Sequence, residues 1–530
     1  MKKNNKENYN NVHWADHSAQ QVIDKFPNEK IYSVASGVTP SGIVHVGHFR
    51  EIITTEFVRK ALEKKGKKTK FIYSWDSYDA FRKVPKNIPE EFSKYLRLPN
   101  SKVPDPNKKY ESFAEFFMSE AEKSLKVFNF PIEFQRQHLL QTSGIYAEGI
   151  RKHLRLRNEI RMVLDKYREK PLENSWLPLS VFCEKCNKDT TKILDYDEEY
   201  SISYECKCGF KNKINFKETP IVKLPWRLDW PMRWAQYKIT FEPGGKDHST
   251  PGGSFDTAKE IIKIVSKREA PVYTFYNFIS MKGQGGKISS SSGNGATIDD
   301  ILKIYTPELV LYLFASTRPN AEFSISFDLD VMKIYEDFDK LERTYFGLEE
   351  EKNPKKKATL NRIYELSIIN SQKIPTKMPF QPKFRYLLSI AQSHNFEYEK
   401  IEEFFKKEIK TDFDKNRLKE RINIIKNWLE LYAPEDMKFH ILEKINKSTL
   451  SNLNEIEKEI LIEIREKLNK INESKELINI FKEISQKKDI ETKIIFQHLY
   501  KIIIGKEKGP RLSNLILENK EKVLNLLNQI

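Results

Sequence analysis

The chain has 530 residues, too many for one hydrophobic core, and a prior of roughly 100 to 200 residues per domain makes it modular. Hydrophobic residues are 39% and charged residues 31%, enough apolar material to fold. With no apolar run of about 18 residues, there is too little for a helix across a bilayer. The formal net charge of +16 suits a protein that meets polyanions. The opening "MKKNNKENYN" lacks the apolar stretch of a signal peptide, so the expected location is cytoplasmic, with no membrane partner.

In chain order, "KIYSVASG" is a short β-rich run ending in glycine, residues 44–65 carry helical spacing that closes at Gly66, and "KFIYSW" is a second strand. Strand, helix, strand makes a βαβ unit in a parallel sheet, whose ligands bind beyond the carboxyl ends of the strands. The turn after the first strand, "GVTPSGIVHVGHFRE" from Gly37 to Glu51, is therefore where chemistry is expected. The helix that follows points unpaired N–H groups into the crevice, a place for an anion. His45 and His48 share one helix face, and Gly47 between them has no side chain to hold a base or ribose away from the backbone. Two surface histidines or half of a zinc site are the alternatives at this stage.

The four cysteines stand as "CEKC" at 183–186 and "CKC" at 206–208. Cys183, Cys186, Cys206 and Cys208 form two close pairs, as in a tetrahedral zinc ribbon, although the second pair has one spacer residue. Two disulfides are the alternative, disfavoured in a reducing compartment. Residues 283–295, "GQGGKISSSSGNG", place five glycines and four serines around Lys287, which reads either as a flexible linker or as a phosphate clamp. Beyond residue 330 glycine is nearly absent and the texture is helical. "EIEKEILIEIREKLNKI" sets Ile456, Ile460, Ile464 and Leu468 four apart as one apolar stripe.

"HVGH" at 45–48 and "KISSS" at 287–291 resemble the HIGH and KMSKS motifs of class I aminoacyl-tRNA synthetases. The stretches "SGVTPSGIVHVGHFRE", "YSWDSYDAFRKVP", "LPWRLDWPMRW", "FEPGGKDH" and "KISSSSGN" resemble the class I form of lysyl-tRNA synthetase, closely over residues 12–345. The resemblance implies an α/β fold: a Rossmann-type parallel-sheet catalytic domain with a zinc-ribbon-containing insertion, followed by an all-α C-terminal anticodon-binding domain. The implied boundaries are 1–80 and 219–300 for the Rossmann halves and 81–218 for the insertion, with the ribbon at 183–208. A connective helical region at 301–345 and the anticodon-binding domain at 346–530 follow.

The implied reaction joins lysine to tRNA(Lys) through lysyl-adenylate, with ATP and Mg²⁺, structural Zn²⁺, a monomeric enzyme, and activation that waits for tRNA. By resemblance, His45, His48 and Lys287 are catalytic, while Gly47, Asp247, Ser289, Ser290 and Ser291 bind ATP. Gly37, Thr39, Trp226, His248 and Tyr276 form the lysine pocket. A loop-capping aspartate is the alternative for Asp247, and plain core for Trp226. The second lysine of the KMSKS pattern falls at Ser290, so Mg²⁺, the two imidazoles, the helix N-terminus or Lys282 must supply the missing positive charge. A HIGH-type nucleotidyltransferase acting on a small molecule, or a catalytically silent RNA-binding relative, shares these motifs. The first has no use for 200 further helical residues, and the second has no reason to keep phosphate-binding groups.

Overall fold

The computed structural model describes residues 12–86, 88–282, 296–370 and 374–530. The described residues fall into two compact units, one within Met1–Ile325 and Gly347–Ile374, the other within Ser326–Phe346 and Pro375–Ile530.

The first unit is built on five parallel strands: β1 (Tyr32–Val38), β2 (Thr69–Trp75), β3 (Ile132–Arg136), β4 (Ile239–Gly245) and β5 (Val272–Tyr276). Their order is β5-β4-β1-β2-β3, so the chain leaves β1 towards one edge and later returns to build the other. β1 reads as a nearly continuous buried run because it pairs on both sides and is covered on both faces. Helix α1 (Trp14–Lys25) precedes it, and α2 (Val46–Lys64) makes the crossover to β2. Phe49, Ile52, Ile53, Phe57 and Val58 of α2 are fully buried. The expected βαβ unit is present, with the helix starting two residues later than its spacing suggested.

β3 lies inside the stretch 81–218 that the sequence assigns to an insertion, so the first half of the sheet runs on past residue 80 to Arg136. The strand is short, and only one of its five residues is buried; an edge strand of this kind lacks the apolar signal of a central one. The inserted chain therefore forms two excursions. One, between β2 and β3, has its own core of Phe81, Phe92, Val103, Phe113 and Phe117. The other, between β3 and β4, holds the antiparallel strands Thr191–Tyr196, Ser201–Cys206 and Lys211–Asn215 and then α3 (Trp226–Gln236).

The boundary expected at 345/346 also differs. The helix Asp330–Tyr345 belongs to the second unit, where Asp339 receives two hydrogen bonds from Arg421 at 3.0 and 2.5 Å and Glu342 receives two from Arg417 at 2.8 Å each. The next helix, Pro354–Ser367, returns to the first unit through Arg362, which holds the buried carboxylate of Asp16 at 2.8–3.0 Å. Within the second unit Ile460, Ile464 and Leu468 join a shared core with Leu477, Phe481 and Leu499. Ile456, the first member of the expected stripe, is 54% exposed; it lies in the first turn, where Asn454 caps the helix.

Arg421 and Asp339 are 3% and 4% exposed, so removing one strands the other's charge in low dielectric. Arg421→Met is expected to destabilise the second unit by about 3–5 kcal/mol, and Arg421→Met with Asp339→Leu by much less. Urea unfolding of the two variants checks the order.

Candidate active site

The strand order reverses between β1 and β4, and a crevice opens at the carboxyl ends there, as in open parallel sheets generally. Its walls include Gly37 from β1, Glu51 from α2, Asp76 after β2, Trp226, Trp230, Arg233 and Trp234 from α3, Glu242 and Gly244 from β4, and His248.

At the mouth, His45 is the N-cap of α2. Its Nδ1 accepts the Gly47 N–H at 3.1 Å, while the Nδ1 of His48 accepts the His45 N–H at 3.4 Å. The two rings stack with centroids 4.0 Å apart. A neutral imidazole that accepts at Nδ1 carries its proton on Nε2, which makes each ring a donor to an anion. Gly47 is required for this arrangement, since a Cβ there would sit 2.8 Å from Cε1 of His45.

Deeper in, two carboxyl groups stand among neutral donors. Glu51 accepts the Gly37 N–H at 2.8 Å and the Tyr276 hydroxyl at 2.7 Å. Glu242 accepts the indole N–H of Trp230 at 2.9 Å and of Trp234 at 2.5 Å. Among the described residues neither forms an ion pair. Burial pushes Glu51 up to about 8 and Glu242 up to about 7. Beside them lies a charged network: Arg233 donates to Asp76 at 2.7 Å and pairs with Asp229 at 3.3 Å, and Lys223 binds Asp79. Burial raises the pKa of Asp76 against the opposing charge of Arg233.

Of the residues expected in the pocket, Gly37, Trp226 and His248 line the crevice. The Trp226 ring stacks on Trp230 at 4.7 Å and meets the His248 edge at 5.2 Å. Tyr276 is the donor that fixes Glu51, and Thr39 donates to Asp79 at 2.8 Å; both stand behind the wall. Asp247 is exposed on the turn Lys246–His248 that follows β4. Lys287, Ser289, Ser290 and Ser291 lie outside the described residues. Glu51, Asp76, Asp79, Arg233 and Glu242 all occur in the quoted motif stretches, yet sequence reasoning assigned them no role. Their partners are 4 to 225 residues away, so no local pattern singled them out.

The four cysteine Sγ atoms converge within 4.8 Å of one another, with Cys183–Cys208 at 3.8 Å and Cys186–Cys206 at 3.6 Å. A tetrahedron with Zn–S bonds of about 2.3 Å has edges of about 3.8 Å, so the donor set fits Zn²⁺. The one-residue spacer between Cys206 and Cys208 does not prevent convergence.

A parallel-sheet crevice, a paired-histidine helix cap and an acid-lined pocket are features of a class I aminoacyl-tRNA synthetase, and the chain belongs to that class. Residues 12–370 match the family described as "tRNA synthetases class I (K)". The chain is 45% identical over 512 residues to the protein named "Lysine--tRNA ligase" from Borreliella burgdorferi, covering 95% of this chain and 96% of that one. It is 41% identical over 528 residues to the one so named from Thermococcus kodakarensis, with 97% and 99% covered. To that of Pyrococcus furiosus it is 40% identical over 516 residues, with 95% and 97% covered.

Metal and ribbon are linked, because binding and local folding share one free energy. If the four thiolates hold Zn²⁺, Cys183→Ser is expected to lose the metal and lower the melting temperature; metal analysis by mass spectrometry beside a thermal scan reads both.

Proposed function

We propose that the chain is a lysine--tRNA ligase, activating lysine with ATP and passing it to the 3′ end of tRNA(Lys). The observation that carries this is the crevice: two carboxyl groups without a cation, Glu51 and Glu242, set behind a tryptophan wall and next to an anion-binding helix cap. A molecule with a carboxylate at one end, an apolar stem and an ammonium at the other matches these three parts in chemistry. The indole faces of Trp226 and Trp230 suit the stem and attract the cation.

In activation a lysine carboxylate oxygen attacks the α-phosphorus of ATP and forms the O–P bond of the adenylate, while the P–O bond to pyrophosphate breaks and its electron pair leaves on the pyrophosphate oxygen. ATP brings Mg²⁺ as part of the substrate. The residues bind and orient. His45 and His48 donate from Nε2 to phosphate oxygens, the positive end of the α2 dipole favours the same anion although its first N–H groups are already bonded within the protein, and Asp247 accepts from ribose hydroxyls. Lys287, with Ser289, Ser290 and Ser291, takes the leaving pyrophosphate, and Gly47 permits the adenosine to approach. Glu51 and Glu242 are the acidic partners of the ammonium, with Tyr276 and Gly37 holding Glu51 in place. The four cysteines hold structural Zn²⁺ in a ribbon that meets the acceptor end of tRNA.

The helices of the second unit meet the anticodon, and activation waits for tRNA. The same reading takes the sheet with its two excursions as the catalytic domain, and the enzyme as a cytoplasmic monomer. No helix of the described residues is long and apolar enough to cross a membrane.

Charging is the test: with ATP, Mg²⁺, total tRNA and each radiolabelled amino acid in turn, only lysine is expected to become acid-precipitable. Incorporation of a different amino acid, or of none, overturns the proposal. The raised carboxyl pKa values add a pH signature. Both groups are ionised above about 9 and both neutral below about 6, so the attraction for the ammonium is lost as pH falls through that window. The KM for lysine is expected to rise roughly tenfold per unit lost by one carboxylate, while the KM for ATP changes little; initial rates between pH 6 and 8.5 measure both.

A further inference from the structure

Arg50, two residues beyond His48 in α2, is 2% exposed. Its Nη1 donates to the Phe278 carbonyl at 3.2 Å, and its Nη2 to the carbonyls of Arg318 at 3.0 Å, Pro319 at 2.7 Å and Ala321 at 2.7 Å. The guanidinium also lies 5.2 Å from the centroid of the Phe323 ring. Burial lowers its pKa to about 10, so it is a cation at neutral pH, and among the described residues no carboxylate pairs with it. A buried cation held by carbonyl dipoles and a ring face, with no ion pair, is costly to desolvate, and the two segments it joins suggest its use.

Phe278 leads into the strand Ile279–Met281, which pairs in parallel with Phe323–Ile325. Arg318, Pro319 and Ala321 lead into that partner strand. The two segments also bond each other, through Asn277 N–H to Pro319 O at 2.8 Å and Lys282 N–H to Ile325 O at 3.0 Å. Beyond residues 283–295 the chain returns to the same helix: Val46 N–H donates to Ala296 O at 3.2 Å, and Thr297 bridges to His45. The described residues on both sides of 283–295 are thus fastened to the first turns of α2. One side is held by backbone hydrogen bonds and the other by Arg50.

We propose that Arg50 is a positioning residue for the activation step, fixing Phe278–Lys282 in register with His45 and His48 without touching ATP or lysine. The inference rests on the reading that the two imidazoles bind the phosphates. Lysine is a poor substitute, because the planar fork reaches carbonyls of both segments while an ammonium is a compact point charge on a flexible stem.

The test uses the full chain carrying Arg50→Lys or Arg50→Gln, in aminoacylation assays with a thermal melt of each variant. The lysine-pocket walls on α3 and β4 do not contact Arg50, so the KM for lysine is expected to stay within about twofold. The kcat falls at least about tenfold and the KM for ATP rises, since small misplacements of reacting groups are expensive. Arg50→Lys does not rescue. If both variants aggregate, Phe323→Leu removes the ring beside the guanidinium and loosens the fork, and a smaller loss in the same direction, confined to kcat and ATP, is expected. A kcat within about twofold of wild type in any folded variant overturns the proposal. So does a rise of both the lysine KM and the ATP KM in step with a fall in melting temperature, the mark of a merely structural residue. Failure of the wild-type chain to charge lysine would strike the proposed function itself, before Arg50 is tested.

Discussion

Carboxyl groups that the protein leaves without a cation organise the crevice. Asp76, Asp79, Asp229, Glu51 and Glu242 face only Lys223 and Arg233 as cationic partners within this cluster. Low dielectric makes an unaccompanied carboxylate expensive, and the raised pKa values of Glu51 and Glu242 express that cost. Both groups are kept in place by neutral donors: a backbone N–H, a phenol and two indoles. Such donors orient a carboxyl group without supplying its counter-ion, and on the proposed function an incoming ammonium completes the set. The same indoles that hold Glu242 belong to the stack beside which an alkyl stem would lie.

The fold puts this charge next to an anion site by strand order. Because β1 is central and α2 follows it directly, one segment contributes Gly37, the capped histidines and Glu51. β4 and β5, reached after two long excursions, bring Glu242 and Tyr276 to the other wall. The crevice is thus positive at the helix cap and negative one turn deeper, a polarity that suits an α-carboxylate meeting a phosphate at one end and a side-chain cation at the other. Arg50 extends the arrangement outwards, tying α2 to the chain that precedes residues 283–295.

Features encoded locally were legible in the sequence. The apolar run of β1, the helical spacing of α2 and the cysteine pairs each occupy a short stretch, and the structure forms them close to where the spacing predicts, with His45 capping the helix rather than lying within it. What the sequence concealed depends on distant partners. Glu51 acquires its role from Gly37, 14 residues away, and Tyr276, 225 away. Arg50 meets carbonyls 228 to 271 residues on. β3 carries the polar residues tolerated at a sheet edge, so its pattern did not separate it from an insertion. The helix Asp330–Tyr345 reads as a connector by position, yet its buried pairs with Arg421 and Arg417 place it in the second unit. Ile456 fits the apolar period but falls in an end turn that the core does not reach.

The claim that unneutralised carboxyl groups select an ammonium is tested most directly by calorimetric titration at pH 7 in two buffers of different ionisation enthalpy, with lysine and with norleucine, which has an apolar stem and no ammonium. If Glu51 and Glu242 receive the ammonium, lysine binds with release of protons to the buffer, because carboxyl groups poised at about 8 and about 7 ionise as the cation arrives. Norleucine then binds at least about a hundredfold more weakly, the loss expected when a charged hydrogen-bonding partner is missing from a polar site. Equal affinity for the two amino acids, or lysine binding with no exchange of protons, would contradict the account.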